Sequence, residues 1–147
     1  MKKTFLFLII CLGTFASIGQ RLNHTAVPGQ VKKVFTKIYP NTQVTWQKEE
    51  GNYEANFLRA GKKMSTVIND NGNIIETQVQ IGLSQLPSRI KNYINLNYKN
   101  APIKEAAKIT KANGVVNYEA EINQGTLLFD AAGNFTRIEP REKGKKA

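Results

Sequence analysis

The chain has 147 residues, with 21 Lys and Arg against 11 Asp and Glu and a formal net charge of +10 at pH 7. A single cysteine and a single histidine leave no material for a disulfide framework or for a zinc site of three or four Cys and His ligands. The length suits one domain that makes its core from side-chain burial alone.

Residues 1–19 read as a signal peptide: Lys2-Lys3, an apolar run from Phe5 to Leu12, then Ser17-Ile18-Gly19. The run is far shorter than the roughly 18 residues of a membrane span, which predicts export and cleavage. Ser17 and Gly19 at the minus-three and minus-one places put the new N-terminus at Gln20, with cleavage after Ala16 or Ser17 as the nearby alternative. Cys11 follows Ile10, where lipid attachment would want a small residue. Loss of Lys2 and Lys3 leaves 19 basic residues against 11 acidic ones, or +8. Such a charge could attract anionic lipid or an acidic partner, or simply keep the domain soluble, and export argues against nucleic acid.

Residues 20–26, with His24, show no periodicity and read as a loose leader. Pro28 then opens a helix whose Val31, Val34, Phe35 and Ile38 recur at buried-stripe spacing, and which Tyr39 closes against Pro40-Asn41. Four alternating segments follow. Val44, Trp46 and Lys48 share one face of the first, and Tyr53, Ala55 and Phe57 one face of the second, with Glu54 and Asn56 opposite. Met64, Thr66 and Ile68 form the third, Asn71-Gly72 a hairpin turn, and Ile74 to Ile81 the fourth.

The order then repeats. Leu86-Pro87 matches Val27-Pro28 and opens a helix with Ile90, Tyr93 and Ile94 inward. Tyr98 matches Tyr39, Tyr118-Glu119-Ala120 matches Tyr53-Glu54-Ala55, and Gly133-Asn134 matches Gly72-Asn73. The offset is 59 residues in the helix, 65 at the strand and 61 at the turn, a drift that loop insertions and deletions produce. The predicted organisation is therefore a first unit at 27–82, a second at 83–140, and a basic, disordered tail at 141–147. The fold class is α+β, a tandem duplication of one helix plus a four-stranded antiparallel meander, in two layers.

The run from Val27 to Phe57, its Gly-Asn turn, the segment from Leu86 to Ile109 and the NYEAEI strand resemble the PepSY-like family of beta-lactamase-inhibitor-like exported proteins, found mostly in Bacteroidetes. The match rests on the Val27-Pro28 opening, Phe35, Tyr39-Pro40-Asn41, Trp46, and the strand with Tyr53-Glu54-Ala55 and Phe57. It departs at Asn69, where an Asp before the turn would be usual, and at Lys99-Asn100. The resemblance implies two tandem helix-plus-sheet units arranged as in the beta-lactamase inhibitory protein. It supplies no catalytic residue, substrate or cofactor.

The residues themselves offer no catalytic, cofactor-binding or metal-ligating set. His24 stands alone, Ser65, Ser84 and Ser88 have no other histidine to use, and Asn69 to Asn73 lacks the spacing and final Glu of a calcium loop. Glu54 and Glu119 occupy matching polar-face positions and read as solvated partners of lysines rather than a raised-pKa pair. The expectation is a non-enzymatic periplasmic binding protein for an exported protein or other envelope macromolecule, an inhibitor or a scaffold, with at most peripheral membrane contact. Alternatives are a structural dimer and an enzyme acting on envelope material. The candidate interaction surface is Trp46, Glu54, Glu119 and Arg137, although alternation places Trp46, Tyr53, Phe57 and Tyr118 with core residues.

Overall fold

The computed structural model describes residues 20–49 and 51–141. The predicted signal peptide and the tail beyond Arg141 lie outside the described residues. Two ten-residue helices, α1 (Gly29–Ile38) and α2 (Ser88–Asn97), lie on one antiparallel sheet of nine strands. The strands are β1 (Gln20–Leu22), β2 (Val44–Glu49), β3 (Asn52–Arg59), β4 (Lys62–Ile68), β5 (Ile74–Ile81), β6 (Glu105–Lys111), β7 (Val116–Ile122), β8 (Gly125–Phe129) and β9 (Phe135–Pro140). Their order in space is their order in sequence, because every strand-to-strand step inside a unit is a short turn. Among the described residues, no helix is long and apolar enough to cross a membrane.

Each helix is followed by four strands, and the two units fuse where β5 pairs with β6 from Glu76↔Lys111 to Ile81↔Ala106. Pro28 and Pro87 stand immediately before the helices, where a missing amide costs nothing. Tyr39 N and Tyr98 N close them on the carbonyls of Phe35 and Ile94. Neither helix is long enough to persist alone, so each depends on the apolar stripe it buries against the sheet. In α1 that stripe differs from the predicted one: Ile38 is 41 % exposed, and Tyr39, just past the helix, fills the space instead.

The residues expected to form a loose leader are ordered. Leu22 pairs with Trp46 across β1 and β2, and His24–Ala26 forms a 3-10 turn whose Asn23 side chain accepts from Thr25 N. An extended segment beside the unpaired edge of β2 gains ladder hydrogen bonds that no hydrophobic pattern is needed to specify.

The turns before β5 and β9 are near copies. Asn69 Oδ1 accepts from Asn71 N and Asn73 N, and Asp130 Oδ1 accepts from Ala132 N and Asn134 N. Asn69 thus does the acceptor work of the aspartate it replaces. Gly72 and Gly133 have φ of 77° and 79°, and a Cβ on either would press on the N-terminal half of its helix, at Gln30 and Val34 or at Arg89 and Ile90. A register shift falls at matching places too, between Val67 and Ile68 and between Leu128 and Phe129.

Two cores result, one under each helix. Val31, Phe35, Tyr39, Trp46, Tyr53, Ala55, Phe57 and Ile68 belong to the first; Ile90, Ile94, Ala106, Ala120, Ile122, Leu127 and Phe129 belong to the second. Phe35 and Ile94 are both the seventh residue of their helices, and Tyr53 and Tyr118 lie on the corresponding strands β3 and β7. At Gly125, with φ of 150°, a Cβ would lie 2.1 Å from the backbone oxygen of Glu139. Gly125→Ala must therefore separate β8 from β9, and an expected loss of about 3 kcal/mol or more in chemical denaturation checks it.

Candidate functional site

Because side chains alternate along a strand, the residues not under the helices form a second face. Pairing places Gln47, Glu54, Val67 and Glu76 in one cross-strand row of that face, and Gln80, Ala107, Glu119, Leu128 and Arg137 across the second unit. Glu105, Glu121, Thr126 and Glu139 form the row beside the latter. Trp46 is not on this face. It is 2 % exposed in the first core, its ring 5.4 Å from that of Phe35, and so leaves the predicted interaction surface. Glu54, Glu119 and Arg137 remain together on one side of the sheet.

Side chains on that face reach across strands. Gln78 on β5 donates from Nε2 to Glu119 Oε2 on β7 at 2.6 Å, and Lys63 on β4 reaches Glu105 on β6, each bond passing over an intervening strand. Small Ala107 lies under the Gln78–Glu119 bond, and both it and Ile109 are buried although no described helix covers them.

The carboxylates were expected to be wet. Instead Glu54 and Glu119 are each 3 % exposed. Burial pushes the Glu119 carboxyl well above the usual carboxylate range, with Glu139 and Glu76 adding repulsion, while the Gln78 bond and Arg137 offset part of it. Burial also raises Glu76 against the opposing pull of Lys111 and Arg137. The sequence pattern missed this because alternation assigns a residue to a face and says nothing of what other strands bring over it.

Acids lie deeper than bases here. In the Lys63–Glu105, Arg137–Glu139 and Arg141–Glu121 pairs, at 2.6, 3.0 and 3.5 Å, the cations are 41, 41 and 47 % exposed and the carboxylates 25, 23 and 8 %. Arg141, expected to begin a disordered tail, is tied to Glu121 and donates its backbone N–H to Gln124 O. Among the described residues, no group of three or more His, Cys, Asp or Glu is placed to hold a metal ion. His24 is exposed in the turn before α1, where its carbonyl accepts from Lys32 Nζ.

A duplicated helix-plus-meander with both helices on one face of the sheet and a carboxylate-bearing face opposite defines an inhibitory-protein-like α+β class. The chain belongs to the PepSY-like family, described as "Putative beta-lactamase-inhibitor-like, PepSY-like", whose pattern matches residues 16–76 and again 52–137. The double match agrees with the internal repeat. The fold is shared with a "putative periplasmic" protein of Bacteroides eggerthii (16% identity, TM-score 0.65, 78% of this chain and 88% of that one). It is also shared with a DUF2874 family protein of Bacteroides uniformis (20% identity, TM-score 0.63, 78% and 89%). A BLIP-like protein of Bacteroides fragilis is similar as well (16% identity, TM-score 0.57, 82% and 90%). No functionally curated protein matches the chain.

Proposed function

We propose that the mature chain is a non-enzymatic periplasmic protein that holds an envelope protein on the face of its sheet opposite the helices. The carrying observation is the clustering of Glu54, Glu76, Glu105, Glu119, Glu121 and Glu139 on the one side that neither helix covers. Burying carboxylates is costly, and a face that retains them serves recognition better than stability. The family's inhibitor-like description and the export signal at residues 1–19 support the same reading. The +8 charge of the mature chain would favour an acidic partner at long range, but the acid-floored cavity favours a partner that presents basic side chains at contact.

The test is capture from native envelope extract by the mature protein, compared with a variant carrying Asn56→Arg and Gln78→Arg on that face. A specific protein retained by the first and lost from the second is expected. Retention of the same protein by both would sink the reading, as would turnover of an envelope polymer by the purified chain. Loss of the partner should be at least tenfold in affinity, since two long side chains would occupy the floor.

A further inference from the structure

Between β6, β7 and β8 the face opposite the helices holds a small pocket lined by Glu105, Ala107, Glu119, Glu121 and Thr126. Its free volume is about 10 Å³, room for one group the size of a water molecule. Glu119 Oε2 is held by Gln78, whereas Glu119 Oε1 and Glu105 Oε2 are enclosed with no hydrogen-bond partner among the described residues. Glu105 and Glu121 are each paired with a partly exposed cation, Lys63 and Arg141; among the described residues no ion pair is seen for Glu119, the deepest of the three. Two unsatisfied carboxylate oxygens around a space of one water call for a compact donor of several hydrogen bonds bearing positive charge.

We infer that this pocket is a binding site for a primary ammonium group, the end of a lysine side chain of the bound protein, seated on Glu119. Size separates the candidates: an ammonium is a compact point charge on a thin stem, while a planar guanidinium needs more room. Among the described residues the carboxylates are not arranged as a metal shell, so a donor group suits the site better than a divalent cation. The neighbouring cations do not close it, because the Lys63 and Arg141 side chains stand at the rim, 41 and 47 % exposed. The lysine enters between them and leaves its aliphatic stem against Ala107 and Thr126.

The inference rests on the reading of this face as the binding face, and its test needs no partner. The ¹⁵N-labelled mature protein is titrated at about pH 8, where the buried carboxyl ionises more readily, with n-butylammonium, n-butanol and tetramethylammonium. Saturable shifts confined to residues 105–107, 119–121 and 126 are expected with n-butylammonium only. Glu119→Gln should weaken them at least tenfold, and Glu121→Gln should weaken them less. Equal shifts with tetramethylammonium, shifts centred on the turn carboxylates Asp70 and Asp130, or an unaltered titration in Glu119→Gln would overturn the site. A chain ending at Arg141 separates the source: unchanged affinity supports a partner's lysine, and a tenfold tighter one transfers the site to Lys143, Lys145 or Lys146 of the chain's own tail. Failure of the titration with partner capture intact refutes the site alone, whereas failure to capture any partner refutes the functional reading while the titration stands.

Discussion

Phe35→Ala is expected to lower the unfolding free energy by about 3 to 5 kcal/mol, a large share of the roughly 5 to 15 kcal/mol that an ordinary domain has. Phe35 is 1 % exposed, and its ring centroid lies 5.3, 5.4 and 5.2 Å from those of Tyr39, Trp46 and Phe57. Three of these contacts are tilted or edge-on, the geometry that ring quadrupoles favour, so truncation removes specific contacts as well as area. Collapse around the void is limited because Trp46 and Phe57 are fixed on paired strands. Ile94→Ala in the second unit should cost about 2 to 5 kcal/mol by the same cavity argument. Ile38→Ala, on the same helix as Phe35 but 41 % exposed, is the control and should change stability by no more than about 0.5 kcal/mol. Urea midpoints with an unchanged slope for all three would measure these differences; a Phe35→Ala loss as small as that of Ile38→Ala would contradict the packing described.

A second large effect is expected in the dependence of stability on pH. Because the folded state raises the Glu119 pKa, it holds that proton more tightly than the unfolded chain does. The unfolded chain ionises first, near the ordinary value of 4.5, so stability falls as pH rises from there toward the raised folded value and levels off above it. Glu76, also raised, contributes with the same sign. Asp130 works in reverse: hydrogen bonds from the side chain and backbone of Asn134 lower its pKa, and the stability it adds is lost as pH falls through that lowered value. The optimum should therefore be mildly acidic. Glu119→Gln removes the charge that the folded state disfavours, so it should be more stable than the parent near neutral pH and show a flatter decline. Urea midpoints at several values between about pH 4 and 8 test this. A parent protein that gains stability across that interval, or a Glu119→Gln variant that tracks it, would show that Glu119 ionises without penalty. Together with the amine titration, this variant should be the steadier fold and the poorer binder, a common relation at recognition sites.

Much of the architecture is legible in local patterns. The helix stripes containing Phe35 and Ile94, the alternation of Tyr53, Ala55 and Phe57, and the two Gly-Asn turns each depend on interactions within a few residues, and all appear where the spacing puts them. The duplication was legible for the same reason, since equivalent local signals recur in one order. Ile38 and the segment Gln20–Leu22 were misread because their fates are decided by a neighbour distant in sequence: Tyr39 displaces the former from the core, and the β2 edge recruits the latter.

Tertiary structure alone decided how the two cores share out their volume. Trp46 and Ala106 hold equivalent places, paired with Ala55 and Ala120, so the second unit lacks the large ring on its first strand. It recovers the volume at the far end of the meander, where Phe129 and Phe135 stand at the places of Ile68 and Ile74 and pack with Tyr93. A core fills a three-dimensional space, and which strand supplies the bulk is indifferent so long as the space is filled. The site was hidden for a related reason. Sequence assigned Glu54 and Glu119 to the polar face, because side-chain alternation is a property of single strands, and placed Arg137 with them on the candidate surface. Trp46 was expected on that surface and belongs to the core, and the burial of Glu119 depends on side chains that several strands bring together, Gln78 reaching it from β5 over β6.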